Sequence, residues 1–295
     1  MEVRTPDDIF LTLDVSGTVD GLPFMPEMFV FCGKQFRVSG RAVTTCISGG
    51  DWPRGFRTND IVTLENIRCS GAAHDNCQKG CVIFWHEAWL RKAENPILTD
   101  ADLRGAERLR TRLNTKTSLN TYYCQASELP KITEVLSRWE RLAKYFAGLR
   151  AGNFSVLQMA KSIGIWLFWK FHRLFFGVSA RGHRDATPAE NLNLQPGEWI
   201  EVKLIEDIID TLDEKGQNRG LSFSPGMSLL CGERYRVKAR IDKIILDGTG
   251  KMRQLRNTVC LDGVTCGCAY MGFGASGCAR CEFQYWREAW LRRSN

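Results

Sequence analysis

The sequence predicts an α+β protein in which two small β-barrel units are joined by a helical connector. Three observations carry this: a long-range duplication, a period of two within each copy, and a switch to a period of 3.6 between the copies. Glu2 to Arg41 aligns without a gap on Glu201 to Arg240, a constant offset of 199, with about 18 of the 40 positions identical. Chance gives roughly two or three. The shared positions include Glu2-Val3 with Glu201-Val202, Thr12-Leu13-Asp14 with Thr211-Leu212-Asp213, Phe24 with Phe223 and Cys32-Gly33 with Cys231-Gly232. After a short length change, Val62, Leu64 and Cys69 match Val259, Leu261 and Cys266. The copies close on Trp85-His86-Glu87-Ala88-Trp89-Leu90 and Trp286-Arg287-Glu288-Ala289-Trp290-Leu291. Each copy has the size of one small domain, and the expected division is 1–95, 96–196 and 197–295.

Thr5-Pro6-Asp7-Asp8 is a helix start: a capping hydroxyl, proline at the first helical position and acids in the first turn. A short helix is expected to about Asp14. Further on, Tyr235, Val237, Ala239 and Ile241 alternate with Arg236, Lys238, Arg240 and Asp242, and Phe36 and Val38 alternate with Arg37 and Ser39. Those are half-buried strands. Short strands, Gly/Pro turns and one helical insert suggest an SH3-like barrel. Pro196-Gly197-Glu198 is a turn feeding a strand into copy two, whereas copy one begins at Met1 opposite Ile200, so its first strand is expected to be clipped.

In the connector, Ile132, Val135, Leu136, Trp139, Leu142, Ala143 and Phe146 form one apolar stripe, with Glu134, Arg138, Arg141 and Lys144 opposite. Ser127 is its expected N-cap and Gly148 to Gly152 its end, with another helix from near Ser155. Residues 1–95 hold 10 basic and 12 acidic side chains, 96–196 hold 15 and 8, and 197–295 hold 15 and 13. The net charge of +7 therefore sits in the connector.

The N-terminus lacks a basic-then-apolar signal sequence, which points to the cytoplasm, where thiols stay reduced. The longest apolar run, Ile163 to Phe176, is broken by Lys170, His172 and Arg173, so no transmembrane segment is expected. Twelve cysteines in that setting suggest metal rather than disulfides. Cys69, His74, Cys77 and Cys81 read C-x4-H-x2-C-x3-C, and Cys266, Cys268, Cys278 and Cys281 read C-x-C-x9-C-x2-C. Closely spaced thiolates bring two ligands from one turn against two from another around tetrahedral zinc. Cys32 and Cys231, at matched positions before glycine, are candidate distant ligands. If the copies share their ligands, the sets are Cys32, Cys69, Cys77, Cys81 and Cys231, Cys266, Cys278, Cys281, with His74 and Cys268 as neighbours. Cys260 is a further candidate, and Cys46 and Cys124 look like spares. Two zinc ions are expected, with an iron–sulfur site as the lesser alternative.

The closing motif, read as a strand, places Trp85, Glu87 and Trp89 on one face, as it does Trp286, Glu288 and Trp290. One reading is a core pair in which the glutamate meets a strand arginine such as Arg37 or Arg236. The other is an aromatic binding pocket with an acidic floor for a cation or peptide end. No phosphate loop, nucleophile elbow, H-E-x-x-H or dinucleotide fingerprint is present, so no reaction is named.

The stretches GLPFMPEMFVFCGKQFRV, IRCSGAAHDNCQKGCVIFWHEAWL, RGLSFSPGMSLLCGERYRVKARIDKI and YWREAWLRR resemble a group of bacterial proteins with paired SH3-like, cysteine-containing segments. The likeness spans both copies and the connector around Tyr123-Cys124-Gln125-Ala126. It implies the duplication and a bacterial cytoplasmic setting, and no particular activity. The spacing at Cys281 departs from that group's pattern. The leading expectation is a zinc-stabilised tandem-barrel accessory protein that recognises a peptide or protein partner in a biosynthetic or modification pathway. The alternatives are a metal- or thiol-dependent enzyme with its site between barrels and connector, and a basic adaptor. The adaptor would bind nucleic acid or an anionic membrane surface through residues 161–184, which carry Lys161, Lys170, Arg173, Arg181 and Arg184.

Overall fold

A computed structural model describes residues 1–47, 54–93, 100–161, 163–164, 167, 180–224, 226–266 and 278–294. The architecture is mixed α and β. Two compact units divide the chain, and they do not follow the boundaries expected from sequence. The first comprises Met1–Val156, Ile244–Arg253 and Ser276–Arg280; the second comprises Leu157–Lys243, Gln254–Ala275 and Cys281–Asn295.

In the first unit, Thr5 caps the helix Pro6–Thr12 by accepting the Asp8 N–H at 3.3 Å. Strands Val38–Arg41, Ile61–Arg68 and Val82–His86 form an antiparallel meander. Glu2–Val3 pairs with Leu90–Arg91 and bridges from Glu2 to Gln35, and among the described residues this two-stranded sheet is separate from the meander. A second three-stranded sheet places Arg54–Phe56 between Thr44–Thr45 and Thr133–Val135. The core gathers around Trp85, Trp89 and Phe24, with the Phe24 ring edge-on to Trp89 at 5.2 Å. Edge-on rings align the positive rim of one with the negative face of the other.

The second unit holds a five-stranded half-barrel sheet in the order Phe283–Arg287, Thr258–Thr265, Arg234–Arg240, Trp199–Val202, Leu291–Arg293. Strand pairings fall at matched sequence positions in both units. Val38, Gly40 and Arg41 face Leu64, Thr63 and Val62 across a bulge. Val237, Ala239 and Arg240 face Leu261, Cys260 and Val259 across another. Trp85 faces Val62 as Trp286 faces Val259. The turn after each first helix also recurs: Asp14 Oδ1 accepts the Ser16 and Thr18 N–H groups, and Asp213 Oδ1 accepts those of Lys215 and Gln217.

The connector departs from expectation. Its stripe does not form one helix. Cys124, not Ser127, is the N-cap of helix Gln125–Ile132, the chain then extends as Thr133–Val135, and a second helix, Arg138–Arg150, starts from Ser137. Ser137 and Glu140 close a reciprocal capping box, and this local signal overrides the apolar period. As a result Trp139, Leu142 and Phe146 are exposed. Among the described residues no helix is long and apolar enough to cross a membrane. Most of the run from Ile163 to Phe176, with Lys170, His172 and Arg173, lies outside the described residues, while Lys161, Arg181 and Arg184 are exposed.

Candidate functional site

Within the first unit, four thiols converge on one cavity of about 30 Å³: Cys69, Cys77, Cys81 and Cys124, with His74 and Lys79 also on its wall. The backbone explains the convergence. Cys69 follows the strand Ile61–Arg68, and its N–H donates to the Cys81 carbonyl at 2.8 Å, which holds the two ends of the loop together. Inside the loop, His74 N–H donates to Gly71 O and Cys77 N–H to His74 O, winding the chain tightly. Gly71 has φ +70°, and a Cβ there would lie 2.0 Å from the Cys77 carbonyl oxygen, so only glycine fits. Cys124 arrives from the helix start, where its N–H donates to Ser127 Oγ at 2.9 Å. The Ile245 N–H, from the inserted segment Ile244–Arg253, donates to Cys77 Sγ at 3.2 Å.

No three of these four sulfurs lie within 4.8 Å of one another. Among the described residues the one set of three or more ligand atoms within 4.8 Å of one another is Asp20, Asp60 and His86. Burial pushes the Cys69 thiol well up, and the charges of Glu27 and Cys81 add to it. Burial also raises Cys124, against the opposing N–H groups of Ser127 and Ala126. Burial disfavours the thiolate form at Cys69 and Cys124.

His74 is not a ligand in this geometry. Its Nδ1 lies 2.6 Å from Glu27 Oε1 and its Nε2 lies 2.9 Å from the Tyr123 carbonyl, so both ring nitrogens face acceptors. Burial disfavours the His74 charge, but the hydrogen bond and charge of Glu27 outweigh it and raise its pKa. Burial raises Glu27 in turn, and His74 pulls it below its usual value. The buried pair braces the loop. Cys32 is also outside the cavity wall, where burial pushes its thiol up to about 12. Cys124, which has no repeat counterpart and looks like a spare in the sequence, lines the cavity where Cys32 does not.

No three of Cys231, Cys266, Cys278 and Cys281 bring their sulfurs within 4.8 Å of one another. Cys278 belongs to the first unit, with its Sγ 3.8 Å from Cys46 Sγ. Cys231 and Cys266 are half-buried in the second unit, burial raising Cys231 to about 11, and Cys281 is exposed. Cys268 lies outside the described residues. Cys260 is buried within the strand Thr258–Thr265.

Beside the cavity stands a triad that residue spacing could not show. Asp247 accepts from Lys79 Nζ at 2.5 Å and from Arg280 at 2.8 and 3.1 Å. All three side chains are buried.

The Asp20, Asp60 and His86 group has a constraint of its own. His86 Nδ1 accepts the Ala88 N–H at 3.1 Å, which leaves the proton on Nε2, 3.1 Å from Asp20 Oδ2. A ring protonated at Nε2 offers a metal no lone pair there.

The closing motif is core, not a pocket. Trp85, Trp89, Trp286 and Trp290 are each 0% exposed and present no face to a ligand. The strands end at His86 and Arg287, and Glu87–Trp89 and Glu288–Trp290 are 3₁₀ turns, so the glutamates do not sit between two indoles on a strand face. Their partners are Arg41 and Arg240, not Arg37 and Arg236.

No family model, no curated protein and no solved structure matches this chain.

Proposed function

We propose that the protein is a metal-stabilised binding or accessory protein, built from two copies of an SH3-like unit, that recognises a peptide or protein partner. One zinc ion is held in the first unit by Cys69, Cys77, Cys81 and Cys124. The observation that carries this reading is the convergence of those four thiols, from two separate stretches of chain, on one small cavity. Four thiolates around one ion make a closed site, which holds a fold and leaves no position for a substrate. Burial raises the Cys69 and Cys124 thiols, so uptake of a cation would be coupled to proton release and to folding. The Ile245 N–H and the N–H groups at the helix start that follows Cys124 would stabilise thiolate charge once formed. Matched strand register in the two units supports the duplicated-unit part of the proposal.

Metal analysis of the full chain, purified without added metal, tests this. About one colourless zinc per chain is expected, lost in Cys124→Ser and kept in Cys32→Ser. Should Cys124→Ser fail to fold, Co(II) exchange into the unaltered protein replaces it, and thiolate-to-cobalt absorption is then expected. Iron bands, or full metal retention in folded Cys124→Ser, would overturn the assignment.

A further inference from the structure

In the second unit, residues 191–198 lie as a strap ahead of the strand Trp199–Val202, and three side chains or backbone positions hold them. The Glu288 carboxylate accepts the successive N–H groups of Leu192, Asn193 and Leu194 at 2.6, 3.0 and 3.1 Å. Arg240 bridges Glu288 Oε1 at 2.8 Å and the Leu194 carbonyl at 2.7 Å. Val237 accepts the Gly197 N–H at 2.8 Å and donates to the Glu198 carbonyl at 2.9 Å. Asn193 has φ +49°, which bends the backbone so that consecutive N–H groups converge on one carboxylate. Leu194 and Glu288 are fully buried, and Val237 is 1% exposed.

The same three residue types stand at the matched positions of the first unit: Val38, Arg41 and Glu87. Val38 and Arg41 face Leu64 and Val62 in the register that Val237 and Arg240 keep with Leu261 and Val259. Arg41 Nη2 lies 2.6 Å from Glu87 Oε1. The Glu87 N–H donates to Asp60 O as the Glu288 N–H donates to Asn257 O. Here, among the described residues, no segment takes the place of the strap: Val38 is 40% exposed and the Glu87 side chain 44%. Asn153 bonds the Arg41 backbone N–H and carbonyl, while Val38 and the Arg41-paired Glu87 side chain stay partly exposed.

We propose that Val38, Arg41 and Glu87 form a docking groove for an extended segment of a partner protein. That segment carries a leucine and consecutive unblocked backbone N–H groups, in the pattern of this chain's own Asn191-Leu192-Asn193-Leu194-Gln195-Pro196-Gly197-Glu198. The occupant is set by charge complementarity: a carboxylate already paired with arginine has a second oxygen left for the partial positive charge of a run of amides. A valine position whose counterpart Val237 bonds the strap through its own N–H and carbonyl suits an added strand, and its exposed side chain matches an aliphatic residue. This inference rests on the peptide-binding reading above and specifies where the peptide lies.

The test titrates an N-acetylated peptide of residues 191–198 against the full chain by calorimetry, with hydrogen exchange followed at residues 36–41. Saturable binding is expected, weakened at least about tenfold by Glu87→Ala, by Val38→Lys and by N-methylation of the two leucine amides, with slowed exchange at Val38. Both substitutions are at exposed side chains, and thermal melting checks that each variant folds. No saturable binding, or binding that both variants retain, overturns the groove. Self-association abolished by Glu87→Ala would overturn the partner assignment in favour of a second copy of the chain. A protein that holds its zinc and binds no strap peptide loses the groove alone. One that carries no metal loses the wider reading whatever the peptide does.

Discussion

Lys79 Nζ lies 2.5 Å from Asp247 Oδ1 with both side chains buried, and Arg280 closes on the same carboxylate from its other side. Burial alone would raise the Asp247 pKa. The charges of Arg280 and then Lys79 outweigh it and hold the carboxyl well below the usual carboxylate range. Asp247→Ala strands two buried cations and is expected to cost about 3–5 kcal/mol in urea denaturation. Replacing all three residues with apolar ones of similar size should cost less, because no charge is left unpaired. A depressed carboxyl pKa contributes stability that is present above its unfolded value of 3.8 and is lost as pH falls through the folded value.

The Glu27–His74 pair sets a pH window. The raised His74 pKa gives stability fully present below its unfolded value of 6.5 and lost as pH rises through the folded value. The lowered Glu27 pKa gives stability present above 4.5 and lost as pH falls through the folded value. The pair is therefore at full strength between these two unfolded values. Melting temperature measured from pH 4 to pH 9 should decline on the alkaline side in the native sequence, and His74→Gln should flatten that limb. An unchanged limb would remove the ion pair from the account.

Two glycines with nearly the same backbone angle should respond differently to alanine. At Gly71, φ +70°, the new Cβ meets the Cys77 backbone at 2.0 Å, and at Gly152, φ +73°, it meets nothing within 4 Å. Gly152→Ala should cost about 1–2 kcal/mol for the left-handed conformation alone. Gly71→Ala should cost more, since Cys77 must move, and on the proposed zinc reading it should also lower the zinc content. Melting and zinc content measured together separate the two outcomes.

Matched glutamates should also differ. Glu288→Ala leaves three backbone N–H groups and Arg240 without their carboxylate in a buried site, a loss of about 3–5 kcal/mol. Glu87→Ala removes a half-exposed pair and should change stability by no more than about 1 kcal/mol. Parallel denaturation of the two variants measures the contrast.

Local and periodic signals were readable in the sequence. The Thr5 cap, the alternation around Val237 and the matched blocks all correspond to observed elements, because each depends on neighbours within a few residues or on an equivalent stretch of chain. The connector was misread because its apolar period continued across Ser137, where a capping box restarts the helix. Spacing singles out Cys69, Cys77 and Cys81, which line the cavity. Repeat logic passes over Cys124 because it rewards positions that occur twice, and the approach of Cys124 to the cavity is tertiary. His74 had metal-ligand spacing, yet its partner Glu27 is 47 residues away and no local pattern links them. The Asp247 triad was hidden for the same reason.

The segment Ile244–Arg253 belongs by sequence to the second copy, yet it supplies Ile245 and Asp247 to the first unit, as Ser276–Arg280 supplies Arg280. During synthesis the first unit can therefore not be completed when its own copy has left the ribosome. The Cys77 sulfur waits for its amide, and Lys79 for its counter-ion, until residues 245–247 have emerged. A polypeptide cut after residue 156 would carry all four thiols and still lack the parts that close their surroundings.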